Sequence, residues 1–158
     1  MFTCTVPPTP KSRETNWQAQ HPRFWEFEVQ QFIRALRPPR PDSPHRLRVG
    51  ADAEGLAAVS YYEELDGPSD IYLHVGAVAT RLRGKGGGYA DEMIEDTLDA
   101  ITAAAFAAGV REVRVAGRIY EANRPSQEMV RRAGFRHVGN TQAPGVQIWS
   151  LDLLLLEA

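Results

Sequence analysis

The chain has 158 residues, 43% of them hydrophobic, with a formal net charge of −2. That is the size of one domain with apolar side chains enough for one core, and nothing global steers it toward nucleic acid or an anionic membrane. The single cysteine excludes an internal disulfide, no Cys/His cluster has metal-ligand spacing, and no apolar run reaches the ~18 residues a membrane span needs, so a cytoplasmic protein without structural metal is expected.

Residues 1–22 are rich in Pro, Thr, Lys and Arg with little periodicity. They read as an N-terminal arm with an optional short strand at 2–6, ahead of a single domain at 23–158. Cys4 falls in that arm and is expected to be inert or frayed. Over 24–36 the apolar residues recur at helical spacing until Pro38, Pro39 and Pro41 stop the helix. Its aromatics, Phe24, Trp25 and Phe27, with Trp17 ahead of them, read as core contacts, the alternative being a wall of a binding site. Segments 47–49 and 56–62 form a hairpin with Gly55 near the end of its connection. After the turn residues 66–69, segment 71–79 is nearly all apolar, as a central strand is. The period of two places Tyr72, His74, Gly76 and Val78 on one face, opposite Leu73, Val75, Ala77 and Ala79.

Next come Arg83, Gly84, Lys85, Gly86, Gly87 and Gly88, between this strand and a long helix carrying Ala90, Ile94, Leu98, Ile101 and Ala105. A helix N-terminus has free N–H groups and a partial positive charge, glycine lets the backbone approach an anion, and Arg83 and Lys85 add full charges. Such a turn suits phosphate. A Walker loop needs Ser or Thr where Gly86 stands, and a dinucleotide loop starting at Gly84 needs Gly or Ala where Tyr89 stands. A glycine-rich turn with no ligand is the plain alternative. Gly109 ends the helix, a strand carries Val113, Val115 and Ile119, and a helix opens at Pro125 and closes at Gly134. Strands at 135–138 and 146–153 finish the chain. The tail 151–156 is too short to span a membrane and reads as a buried strand end or packed terminus, a partner-binding patch being the alternative.

Arg83, Gly86 and Gly88 match Arg/Gln-x-x-Gly-x-Gly/Ala, and the run from Asn123 through Ser126 to Ala133, Gly134 and Phe135 matches a second signature in spacing. Over 47–153 the chain thereby resembles the GNAT (GCN5-related N-acetyltransferase) superfamily. Ser126 paired with the aliphatic Val130 is similar to the ribosomal-protein N-terminal acetyltransferase-like branch. The resemblance implies an α/β (α+β) fold with a mixed, mostly antiparallel central sheet flanked by helices and splayed at the acyl-CoA site. It further implies acetyl-CoA as acyl donor, with the backbone of Ala77, Val78 and Ala79 pairing with pantetheine. The turn from Arg83 to Tyr89 would hold the pyrophosphate, Asn123 would reach the far end of the arm, and Ser126 would either touch the thioester sulfur or be an ordinary helix residue. Many members carry a Tyr acid where this chain has Val130.

Transfer to a primary amine of a small molecule or protein by direct attack needs a base near neutral pH. His74 has the right chemistry, its plain alternative being a hydrogen-bonded core residue. Glu63 and Glu64 either line the acceptor cleft or are a solvated strand end. Two other functions stay open: a catalytically silent acyl-CoA-binding regulatory module, and a toxin-type aminoacyl-tRNA acetyltransferase. The latter needs Arg34, Arg37, Arg40, Arg46 and Arg48 to cluster. The expected partners are acyl-CoA and an amine acceptor, without membrane or nucleic acid, and a homodimer is left open.

Overall fold

The computed structural model describes residues 2–5, 23–84 and 88–155. Helix α1 (Phe24–Ala35) buries Trp25, Glu26, Phe27 and Ile33 and ends where Leu36 turns extended, ahead of the prolines. Strands β1 (His45–Asp52) and β2 (Gly55–Glu64) form an antiparallel hairpin, longer than the apolar segments that mark it. Ion pairs support the polar extensions: Arg46 to Glu64 at 3.1 Å and Arg81 to Asp52 at 2.6 Å. Strand β3 (Asp70–Val78) and a short 3-10 turn (Thr80–Leu82) precede helix α2 (Tyr89–Ala107). Then follow β4 (Glu112–Tyr120), α3 (Arg124–Arg132), β5 (Arg136–Asn140) and β6 (Val146–Leu154). This is the expected element order. Phe135 lies outside β5, as a buried side chain beneath it.

The six strands form one sheet in the order β1-β2-β3-β4-β6-β5. Every pairing is antiparallel except β3 with β4. One face carries a core of Ile71, Val78, Ile94, Val113, Val115 and Val130, under α2 and α3. The other carries Ile33, Val59, Val75, Ala77 and Ala79, under α1 and the chain start, where Phe2 and Cys4 are buried. Residues 2–5 form no strand, but Thr80 donates its N–H to the Thr3 carbonyl at 2.8 Å, so this short stretch is packed. Val6, the last residue of the strand considered there, and Trp17 lie outside the described residues. Among the described residues no helix is long and apolar enough to cross a membrane.

Two irregularities shape the centre of the sheet. Tyr61 pairs with Val75 and Tyr62 with Leu73, which leaves His74 as the extra residue of a β-bulge. A bulge breaks the period of two, and this corrects the expected faces of β3. Leu73 packs in the same cluster as Val78, whereas Val75, Ala77 and Ala79 belong to the opposite one. The rings of Tyr72 and His74 meet edge-on at 4.6 Å. The second irregularity is that β3 and β4 pair only from Asp70 with Arg114 to Leu73 with Gly117. Beyond that point both strands continue, to Val78 and Tyr120, without pairing each other, and the sheet splays. A side chain at Gly117 would place its Cβ 3.1 Å from the Leu73 carbonyl oxygen, so glycine allows the close approach at the apex.

Candidate active site

The splay opens into a cleft of about 1120 Å³. Gly76, Ala77 and Val78 of β3 form one wall, residues 88–91 and 123–126 at the starts of α2 and α3 another, and Trp25, Glu26 and Val29 of α1 close it from the opposite face of the sheet. The sequence thus brings Ala77, Val78, Arg83, Gly84, Gly88, Tyr89, Asn123 and Ser126 to one cavity. Ala79 is not in its lining; its N–H donates to the Ala57 carbonyl at 2.8 Å. Lys85, Gly86 and Gly87 lie outside the described residues.

Gly88 adopts φ 68°, ψ 8°, a left-handed conformation that glycine takes without strain, and no side chain caps the α2 N-terminus that follows. Among the described residues no side chain accepts from the first N–H groups of α2 at the cleft wall. Asp91 in this first turn is paired with Arg132 of α3 at 2.6 Å. Arg83 is placed differently from a free phosphate ligand. Its guanidinium donates to Glu26 Oε1 and to the Cys4 carbonyl, each at 2.6 Å, fastening the turn to α1 and the chain start.

Asn123 caps α3 by accepting the Ser126 N–H at 3.4 Å, with Pro125 in the first turn. Gln127, almost fully buried, donates to the carbonyls of Tyr120 and Glu121 and ties α3 to the end of β4. Val130 is 4% exposed and sits in the core, so no proton donor occupies its position.

His74 is the first residue beyond the last β3–β4 pair, at the apex of the splay. Its Nε2 lies 3.0 Å from Glu63 Oε2, both side chains being partly exposed. Neither lines the cleft itself. Glu64 is engaged by Arg46 at 3.1 Å. Arg48 grips Asp96 with two bonds of 2.6 and 2.8 Å, so the arginines of the hairpin are held by acidic partners on separate elements.

Two features escape local sequence reasoning. Glu26 is 7% exposed and lines the cleft; Arg83 holds its Oε1, while its Oε2 is buried with no hydrogen-bond partner. A carboxylate on the buried side of an amphipathic helix was the signal available. Tyr120, at the end of β4, is packed edge-on by Phe24 at 4.7 Å and stacked by Trp25 at 6.2 Å, and donates to Glu28 Oε2 at 2.9 Å. These contacts seat α1 over the open end of the splay. Burial, followed by the Glu28 hydrogen bond, raises the Tyr120 pKa.

No protein-family model matches the sequence, and no curated protein sequence matches it either. Solved structures match in shape. An acetyltransferase of Bacillus subtilis in complex with CoA is 13% identical, with TM-score 0.54 over 81% of this chain and 84% of that one. The GNAT domain of S. lividans PAT is 16% identical, with TM-score 0.55 over 79% of this chain and 69% of that one. Nourseothricin acetyltransferase is 20% identical, with TM-score 0.53 over 77% and 72%. At such identities the likeness is one of fold: the chain has the GNAT fold, with the mixed, mostly antiparallel sheet and flanking helices that the two motifs imply.

Proposed function

We propose that this chain is an acyl-CoA-dependent N-acyltransferase that moves an acetyl group from acetyl-CoA to a primary amine of a small molecule or protein. The observation that carries the reading is the cleft running through the splay from β3 at 76–78 to the N-terminus of α2, whose preceding Gly88 has no side chain to cap it. An extended ligand with amides at one end and a pyrophosphate at the other suits such a path. At 76–78 β3 pairs with β2 along one edge only, so its edge toward β4 offers partners to the amides, and the helix N-terminus attracts the phosphates. The GNAT fold, found in a protein solved with CoA, supports the same reading.

In the reaction the neutral amine nitrogen attacks the thioester carbonyl carbon. The C–S bond breaks, CoA leaves as thiolate, and the proton lost by the amine passes to His74, whose ring Glu63 holds through the 3.0 Å contact. A thiolate is a moderately basic leaving group, so the apolar Val130 in the acid position is compatible with this chemistry. The same Val130 favours a second reading, an acyl-CoA-binding module without turnover. The aminoacyl-tRNA reading has less support, since Arg46 and Arg48 are matched by Glu64 and Asp96.

The test is release of free CoA from acetyl-CoA across a library of amines. Amine-dependent release is expected, and at saturating amine His74→Gln should slow it by ~10²–10⁴-fold with acetyl-CoA affinity nearly unchanged. Binding without release under every amine would establish the module instead. Parental turnover in His74→Gln would remove His74 from the mechanism and direct attention to Glu63 or Glu26.

A further inference from the structure

We infer that His45, Glu63 and His74 form a binding site for a divalent transition-metal ion of the zinc class. They come from three neighbouring strands, and one donor atom from each lies within 4.8 Å of the others. His45 and Glu63 are direct cross-strand partners in the hairpin and therefore share a face. The bulge in β3 re-aims His74 so that its Nε2 reaches 3.0 Å from Glu63 Oε2.

The hydrogen bond between His74 and Glu63 is complete as a pair and does not account for the third member. The His45 ring stacks on Tyr61 at 5.5 Å with a 16° interplanar angle, and its Nδ1 is buried without a hydrogen-bond partner. Two imidazoles and one carboxylate are the donor set that borderline metals prefer, whereas calcium and magnesium favour all-oxygen cages. An ion with ligands at ~2.1 Å in tetrahedral geometry spaces its donors ~3.4 Å apart, a small side-chain adjustment from this arrangement. His74 is exposed, which leaves the remaining coordination position to water. Binding of the ion does not depend on the acyl-transfer reading. Only one consequence rests on that reading: a metal at His74 takes the lone pair that a base needs, so the metal-bound protein is blocked for proton removal.

Calorimetric titration of the full, metal-free chain with Zn²⁺ alone, in the absence of acyl-CoA, tests the site. One ion per chain is expected. Losing even an outer partner of a metal ligand weakens binding by ~10–100-fold, so His45→Ala and Glu63→Gln should each cost at least ~100-fold. Co²⁺ should give a visible ligand-field spectrum that the same variants lose. If His45→Ala does not fold by circular dichroism, His74→Gln at the exposed position should show the same loss. Absence of saturable binding at millimolar ion, or equal binding by parent and folded variants, overturns the site. Thermal stabilisation by acetyl-CoA, measured separately on metal-free protein, reports on the acyl-CoA reading alone.

Discussion

At Cys4 the backbone N–H donates to Gln30 Oε1 at 3.0 Å, and the side chain is completely buried between α1 and β3. Burial withholds hydration from the thiolate and pushes the thiol from its ordinary 9.0 to about 11, Arg83 opposing this more weakly. The thiol is therefore a packing residue, poorly suited to nucleophilic chemistry. The sign of the effect on folding follows from linkage. Because the folded pKa lies above the unfolded one, the contribution is full below pH 9.0 and is lost as pH rises through about 11. Urea unfolding at increasing alkaline pH should show a steeper fall in stability in the parent than in Cys4→Ala, since burial raises the pKa of Tyr61, Tyr62 and Tyr120 in both, the difference being on the order of 2 kcal/mol. Parallel pH dependences in parent and variant would show that Cys4 is not the titrating group.

Among the elements, Pro38, Gly109, Pro125 and Gly134 lie at or just beyond observed helix ends, which is why the element order was legible: these residues act locally through φ and a missing N–H. What depended on strand pairing was not. The bulge at His74 exists only in relation to β2, and the union of His45 with His74 requires two strand registers to be known together. The bond from Arg83 to Glu26 spans 57 positions, so the loop's local charge count overstated what Arg83 offers a phosphate. Gly88 tests the part of the site that was legible. A Cβ there would meet nothing within 4 Å, so the cost of Gly88→Val comes from its left-handed backbone, ~1–2 kcal/mol or more for a β-branched residue. The variant should remain folded with a lowered melting temperature, yet relieve its strain by turning the first N–H groups of α2 away and so lose most of its stabilisation by acetyl-CoA. Full stabilisation in Gly88→Val would place the phosphates elsewhere.

Over the whole molecule, the sheet consists of an antiparallel half, β1 to β3, and a second antiparallel half, β4 to β6, joined by the short parallel ladder that ends at Leu73 and Gly117. α1 reaches across this junction to Tyr120, and α3 is tied back to β4 through Gln127. A ligand lying in the cleft would touch both halves, and the unfolded chain offers it no comparable surface. Binding to the native state alone at ~100-fold over the dissociation constant adds ~2.7 kcal/mol of stability. For a chain of 158 residues, each kcal/mol raises the melting midpoint by ~2–4 °C, so acetyl-CoA should raise it by several degrees. Because the ligand replaces missing strand pairing, amide exchange should slow at 76–78 on β3 together with the first turn of α2, and only slightly at the far edge in β1. A melting temperature unmoved by millimolar acetyl-CoA and CoA would separate the fold from the activity proposed for it. A rise with protection confined to one half would mean that the ligand sits on a face of the sheet and does not enter the splay.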